Sequence, residues 1–154
     1  MPKPTIPHDA VIFIGDGCKA LFLRNAGDEK FPNFVTEQVF GKSDPPTHEQ
    51  GTDRPGRVFA AAASTNRSAV EATDWHEIEE QRFTKWVSER LERLVRERAP
   101  PALIITAPPR ALGDLRKALH SDVKARVVAE IDKDLTKHSV GDIERRVVEA
   151  LASL

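Results

Sequence analysis

The stretch "VIFIGDGCKALFLRN", Val11 to Asn25, decides which sheet the chain can build. Gly15, Gly17 and Ala20 fit G-x-G-x-x-G/A, the spacing of a dinucleotide-binding loop. That loop must lead from a strand into a helix long enough to set its N-terminus against a pyrophosphate. Here Val11–Gly15 is a short apolar run that suits a buried strand. Cys18–Arg24 alternates between two apolar sets and stops at "NAGD", which is the pattern and length of a second strand. Asp16-Gly17 then supplies the positive φ values of a tight hairpin turn. The spacing predicts a hairpin and no nucleotide cofactor, and Cys18 is expected to be a small buried residue of the second strand.

"FVTEQVF", Phe34 to Phe40, is rich in β-branched and aromatic residues and predicts a third strand. Periodicity is then lost from Gly41 to Thr73, a loop of unusual length for a compact domain. Asp74 with Glu77 makes a capping-box-like helix start. Trp75, Ile78, Phe83, Trp86, Val87, Leu91, Leu94 and Val95 recur at helical steps up to the stop at Pro100-Pro101. "ALIIT", Ala102 to Thr106, predicts a buried strand. Pro108-Pro109 suits the first turn of a helix with Leu112, Leu115 and Leu119 inward. "VKARVVAEI", Val123 to Ile131, predicts a last strand. Ser139 caps a final helix that faces Ile143, Val147 and Leu151 inward.

The predicted order is β-β-β-α-β-α-β-α. Three leading strands suit an antiparallel meander, and the later strand–helix alternation suits parallel crossovers. The expectation is an α/β domain over residues 1–154, with a five-stranded mixed sheet and helices on both faces. The 41–73 loop lies within it. At 154 residues, 40% apolar and 31% charged, the composition is that of one globular domain. A net charge of -1 excludes a global basic field but not a local basic patch. One cysteine forms no internal disulfide, and prolines occupy the place of a signal peptide's apolar run. These features predict a cytoplasmic protein that spans no membrane.

The catalytic motifs fail one after another. His76-Glu77 opens a zinc-protease pattern, but Glu80 stands where the second histidine is due. No serine sits in a G-x-S-x-G elbow. The element order matches a ribonuclease H-like architecture, whose nucleases need converging carboxylates around metal ions. Asp16 stands near the end of the first strand, but "ALIITAPP" brings no acid to meet it. The reading is therefore no catalytic residue, no metal and no cofactor, with an Asp16-dependent nuclease or hydrolase as the enzymatic alternative. "RPGRVFAAAASTNRS" is more informative. Arg54, Arg57 and Arg67, with Gly56 between them, form an acid-free stretch suited to phosphate contacts. "TAPPR" is a second candidate, an anion site at Thr106 and Arg110 before a helix N-terminus.

"RPGRVF" at Arg54–Phe59, "LIITAPPRALGDLR" at Leu103–Arg116 and "EIDKDLT" at Glu130–Thr136 resemble the bacterial host attachment protein family. The element order is also similar to the middle domain of archaeal and eukaryotic peptide-chain release factors and Pelota, a translational machinery component-like fold. In release factors the long loop before the first helix carries Gly-Gly-Gln. This chain has "EQGTDRPGR" there instead, so the resemblance implies ribosome or RNA contact without peptidyl-tRNA hydrolysis. The expected partner is RNA or the ribosome, met through the Gly51–Arg67 loop, with any role in host attachment indirect. The alternative partner is a second copy of the chain, paired through the Trp75–Val95 helix.

Overall fold

The computed structural model describes residues 4–41 and 69–154, with side chains from Trp75 onward in the second segment. Its strands are β1 (Val11–Gly15), β2 (Lys19–Asn25), β3 (Phe34–Gly41), β4 (Leu103–Thr106) and β5 (Val127–Ile131). The helices are α1 (Ala69–Arg98), α2 (Pro109–Ala118), α3 (Ser121–Lys124) and α4 (Val140–Ala152). They build a five-stranded sheet in the order β3-β2-β1-β4-β5. β2 runs antiparallel to both β1 and β3, while β4 runs parallel to both β1 and β5. The mixed sheet expected from the sequence is the one observed.

The glycine pair at the first turn has a structural explanation. Gly15 pairs with Ala20 at the end of the β1–β2 ladder. The Asp16 amide donates to the Lys19 carbonyl at 3.1 Å, and Gly17 takes φ +90°. A side chain on Gly15 would strike the Phe13 ring. Both glycines therefore serve the hairpin, and no helix follows them. Cys18 is exposed in this turn, contrary to the expected buried position, because β2 begins one residue later.

β1 is buried along its whole length, as befits a central strand covered on both faces. Its side chains alternate between two cores. Val11 and Phe13 join Phe22, Phe83, Leu91, Leu103, Ile105, Leu112 and Leu115 beneath α1 and α2. Ile12 and Ile14 join Leu23, Ile104, Ile131, Ile143, Val147 and Leu151 beneath α4. The first core is aromatic: Phe13, Phe22, Phe40 and Trp86 form a chain of ring contacts with centroids 5.1–5.8 Å apart. The second is aliphatic apart from Phe34. Helices cover both faces, as the alternation of elements predicted.

Two boundaries differ from expectation. α1 begins by Ala69, so Asp74 is an interior residue and not the cap. Ala69, Glu71 and Ala72 are strong helix formers, and propagation through them outweighs the local capping signal at Asp74. The last strand begins at Val127, because Ser121–Lys124 coil into α3. There His120 Nδ1 accepts from the Asp122 amide at 3.1 Å and caps the turn. Val123 is fully buried against the first core, so its apolar character served a helix.

At 30 residues, α1 is about 45 Å long, against about 17 Å for the five-residue β1. It is inward-facing at Phe83, Val87, Leu91, Leu94 and Val95, which are all buried. Trp75 and Ile78 carry the same periodicity but are each 42% exposed. α1 meets the edge of the sheet at Glu80, and Trp75 and Ile78 lie on the part of the helix before that contact.

Candidate functional site at the C-terminal edge of the sheet

Three parallel strands end at one edge: β1 at Gly15, β4 at Thr106 and β5 at Ile131. In α/β sheets this edge is where ligands bind. Asp16 is the first residue beyond β1, and both of its carboxylate oxygens are engaged. Oδ1 accepts from the Cys18 and Lys19 amides at 2.9 and 2.8 Å, which locks the hairpin turn. Oδ2 accepts from the Thr136 hydroxyl at 3.0 Å. Thr136 is buried, and its hydroxyl also lies 2.8 Å from Asp134 Oδ1. The Thr136 amide donates to that same Oδ1 at 3.2 Å.

This contact fixes the path of the chain after β5. The segment from Asp132 to Thr136 must pass the end of β4, since β4 lies between β5 and β1. Leu135 is buried in the second core, so the crossing is made on the α4 side. Thr106, the last residue of β4, faces the same side, because its Cα partners Ile14 and Ile131 both belong to the second core. Thr106 is fully buried. Its Oγ is the one buried side-chain polar atom among the described residues that has no hydrogen-bond partner.

Arg110, the other half of the expected anion site, lies at the start of α2 and is exposed. Its Nη2 is 2.8 Å from Glu77 Oε1 of α1, and this pairing raises the guanidinium pKa further above its ordinary value. Thr106 and Arg110 share the edge but not a bond: one is buried on the α4 face, the other is held by a carboxylate on the opposite face. Among the described residues, no group of three or more His, Cys, Asp or Glu side chains is placed to hold a metal ion.

Arg54, Gly56, Arg57 and Arg67 lie outside the described residues. The ends of the segment that carries them are described. Gly41 pairs with Lys19, beside the β1–β2 turn. Glu80 of α1 closes over Gly17 of the same turn, and Ala69 lies about 16 Å further along the helix axis. The described chain therefore stops at the C-terminal edge at Gly41 and resumes on the part of α1 that extends beyond that edge.

A family model described as "Protein required for attachment to host cells" matches residues 11–147, from β1 through most of α4. The chain belongs to the host attachment family. The matched span contains every edge residue named above. Within 100 aligned residues the chain is also 36% identical to the uncharacterized protein RP470 of Rickettsia prowazekii (strain Madrid E). That alignment covers 64% of this chain and 60% of the Rickettsia protein, so the chain spans under two thirds of that relative. No helix among the described residues of this host attachment family chain is long and apolar enough to cross a membrane.

Sequence reasoning missed Asp134 and Thr136. A signal was present in "EIDKDLT", where polar residues directly follow a predicted parallel strand. No local signal turns that segment back over β4, because the bond to Asp16 spans 120 positions.

Proposed function

We propose that this chain is a non-enzymatic binding module of the host attachment family, which contacts RNA or a ribosomal partner in the cytoplasm through Arg54, Arg57 and Arg67. One observation carries this reading: Gly41, which precedes the arginine-bearing segment, lies at the C-terminal edge of the sheet, and α1, which follows it, passes that edge at Glu80. That edge is the ligand-binding edge of α/β folds, and guanidinium groups suit phosphate geometry. A role in attachment to host cells would then be indirect, exerted through gene expression.

Co-sedimentation with ribosomes at graded salt tests it. Three phosphate contacts predict an affinity about 20- to 40-fold weaker at 200 mM than at 50 mM salt. The triple substitution Arg54→Ala, Arg57→Ala, Arg67→Ala should flatten that dependence. Absence of association at every salt concentration would remove the proposal. A second reading is favoured by the exposure of Trp75 and Ile78 on the projecting half of α1: two copies pair through this half. A light-scattering mass that stays monomeric as concentration rises would exclude that reading.

A further inference from the structure

We propose that Asp16, Asp134 and Thr136 form a binding site for a divalent cation of the Mg²⁺ or Mn²⁺ class, with Thr106 at its base. The inference stands apart from the RNA reading and starts from a shortage of protons. Thr136 has one hydroxyl hydrogen, whereas ionised carboxylates only accept. Its oxygen nevertheless lies 3.0 Å from Asp16 Oδ2 and 2.8 Å from Asp134 Oδ1. One hydrogen satisfies one of these contacts. The other brings two lone-pair-bearing oxygens together, one of them anionic.

A cation resolves that contact. Mg²⁺ demands near-octahedral oxygen ligands at about 2.1 Å, which sets neighbouring ligand oxygens about 3.0 Å apart. The two observed separations match the edges of such an octahedron. Mg²⁺ keeps several waters and needs only one or two protein carboxylates. Two carboxylates and a hydroxyl therefore suit this ion class better than zinc, which prefers nitrogen and sulfur.

Thr106 is independent evidence for a ligand. A buried hydroxyl without a partner calls for an explanation, and a missing ion or water is one of the few available. Strand alternation directs Thr106 toward the α4 face, and the Asp132–Thr136 segment crosses that face on its way to Asp16. The orphan oxygen therefore faces the side on which the acidic segment crosses β4, where it can meet the ion directly or through one of its waters. Asp16 is partly exposed and Asp134 is exposed, so an ion can enter from solvent without unfolding the edge.

The test uses the intact chain and Mn²⁺. Electron paramagnetic resonance titration should show one Mn²⁺ bound per chain, displaced by excess Mg²⁺. Trace Mn²⁺ should selectively broaden the amide resonances of Cys18, Lys19, Ala107 and Thr136, a readout that needs no variant. Asp134→Asn should weaken binding at least tenfold, and Thr106→Val about threefold. Glu77→Gln, at the exposed Arg110 pair, should leave binding unchanged. Absence of bound Mn²⁺ at millimolar concentration overturns the proposal. So does broadening centred elsewhere, or an affinity unchanged in a folded Asp134→Asn chain.

Discussion

The two ends of the sheet handle buried polar groups in opposite ways. At the N-terminal end of β1, Asn25 is fully buried and bonded through both its amide nitrogen and its carbonyl oxygen. Its Nδ2 lies 2.9 Å from the Ile6 carbonyl and 3.3 Å from those of Pro7 and Asp28. Its Oδ1 accepts from the Gly27 and Asn33 amides at 3.0 and 2.9 Å. One side chain thus ties the N-terminal segment, the β2–β3 loop and β2 together. At the C-terminal end, Thr106 has no partner and Thr136 has one hydrogen for two carboxylates. A complete network is what a structural polar group needs in a low-dielectric interior. The proposed cation would complete the network at the C-terminal edge.

Four substitutions sharpen that contrast or break it. Asn25→Ala should have the largest effect, a loss of about 2–4 kcal/mol in urea unfolding, because it leaves several buried backbone groups without partners. Tolerance of this change would show that the N-terminal end is not the closed network described. Gly17→Ala should cost about 1–2 kcal/mol, since φ +90° is strained for any residue with a Cβ. The added atom would also come within 2.9 Å of Glu80 Oε2, but that is the end of a flexible side chain and can move aside.

The third test concerns Glu37 in the middle of β3. Its hydrogen bond with Arg98 holds the carboxyl below its ordinary value, with help from Arg24. A lowered folded pKa gives stability that is present above the unfolded value and is lost as pH falls through the folded one. Glu37→Gln should therefore flatten the decline in stability below about pH 4.5, by about 1 kcal/mol or less for a pair this exposed to solvent. Urea midpoints between pH 3 and 6 would show it. Thr106→Val should have the smallest effect, within about 0.5 kcal/mol without metal, because removing an unpaired hydroxyl leaves no other group unsatisfied. A loss as large as that of Asn25→Ala would mean that Thr106 has a structural partner, and the contrast between the ends would fail.

Much of this architecture could be read locally. The β1–β2 hairpin followed from Asp16-Gly17 between two strand patterns, and Ser139 capped α4 as its position implied, accepting from the Asp142 amide at 3.2 Å. Pro109 opens α2 where a missing N–H costs nothing. Local signals misled where two structures compete for the same residues. Val123 carried strand character into what became α3, and Asp74 resembled a cap within a continuing helix. Of the candidate edge, the sequence marks Asp16 as a turn residue and Thr106 only beside Arg110. The strand sequences bring no acid to Asp16, because its neighbours at the Thr136 hydroxyl come from beyond β5.

The sequence by itself determined the hairpin, the mixed α/β alternation and most of the buried faces, because apolar periodicity and turn chemistry act over a few residues. Its likeness to the host attachment family is carried by the same contiguous blocks. Only the tertiary structure decided that Thr136 returns to Asp16, that Thr106 is buried on the face this segment crosses, and that Trp75 and Ile78 stay half-exposed. Each of these depends on strand order and on the relative lengths of elements far apart in the chain, and no local pattern encodes either.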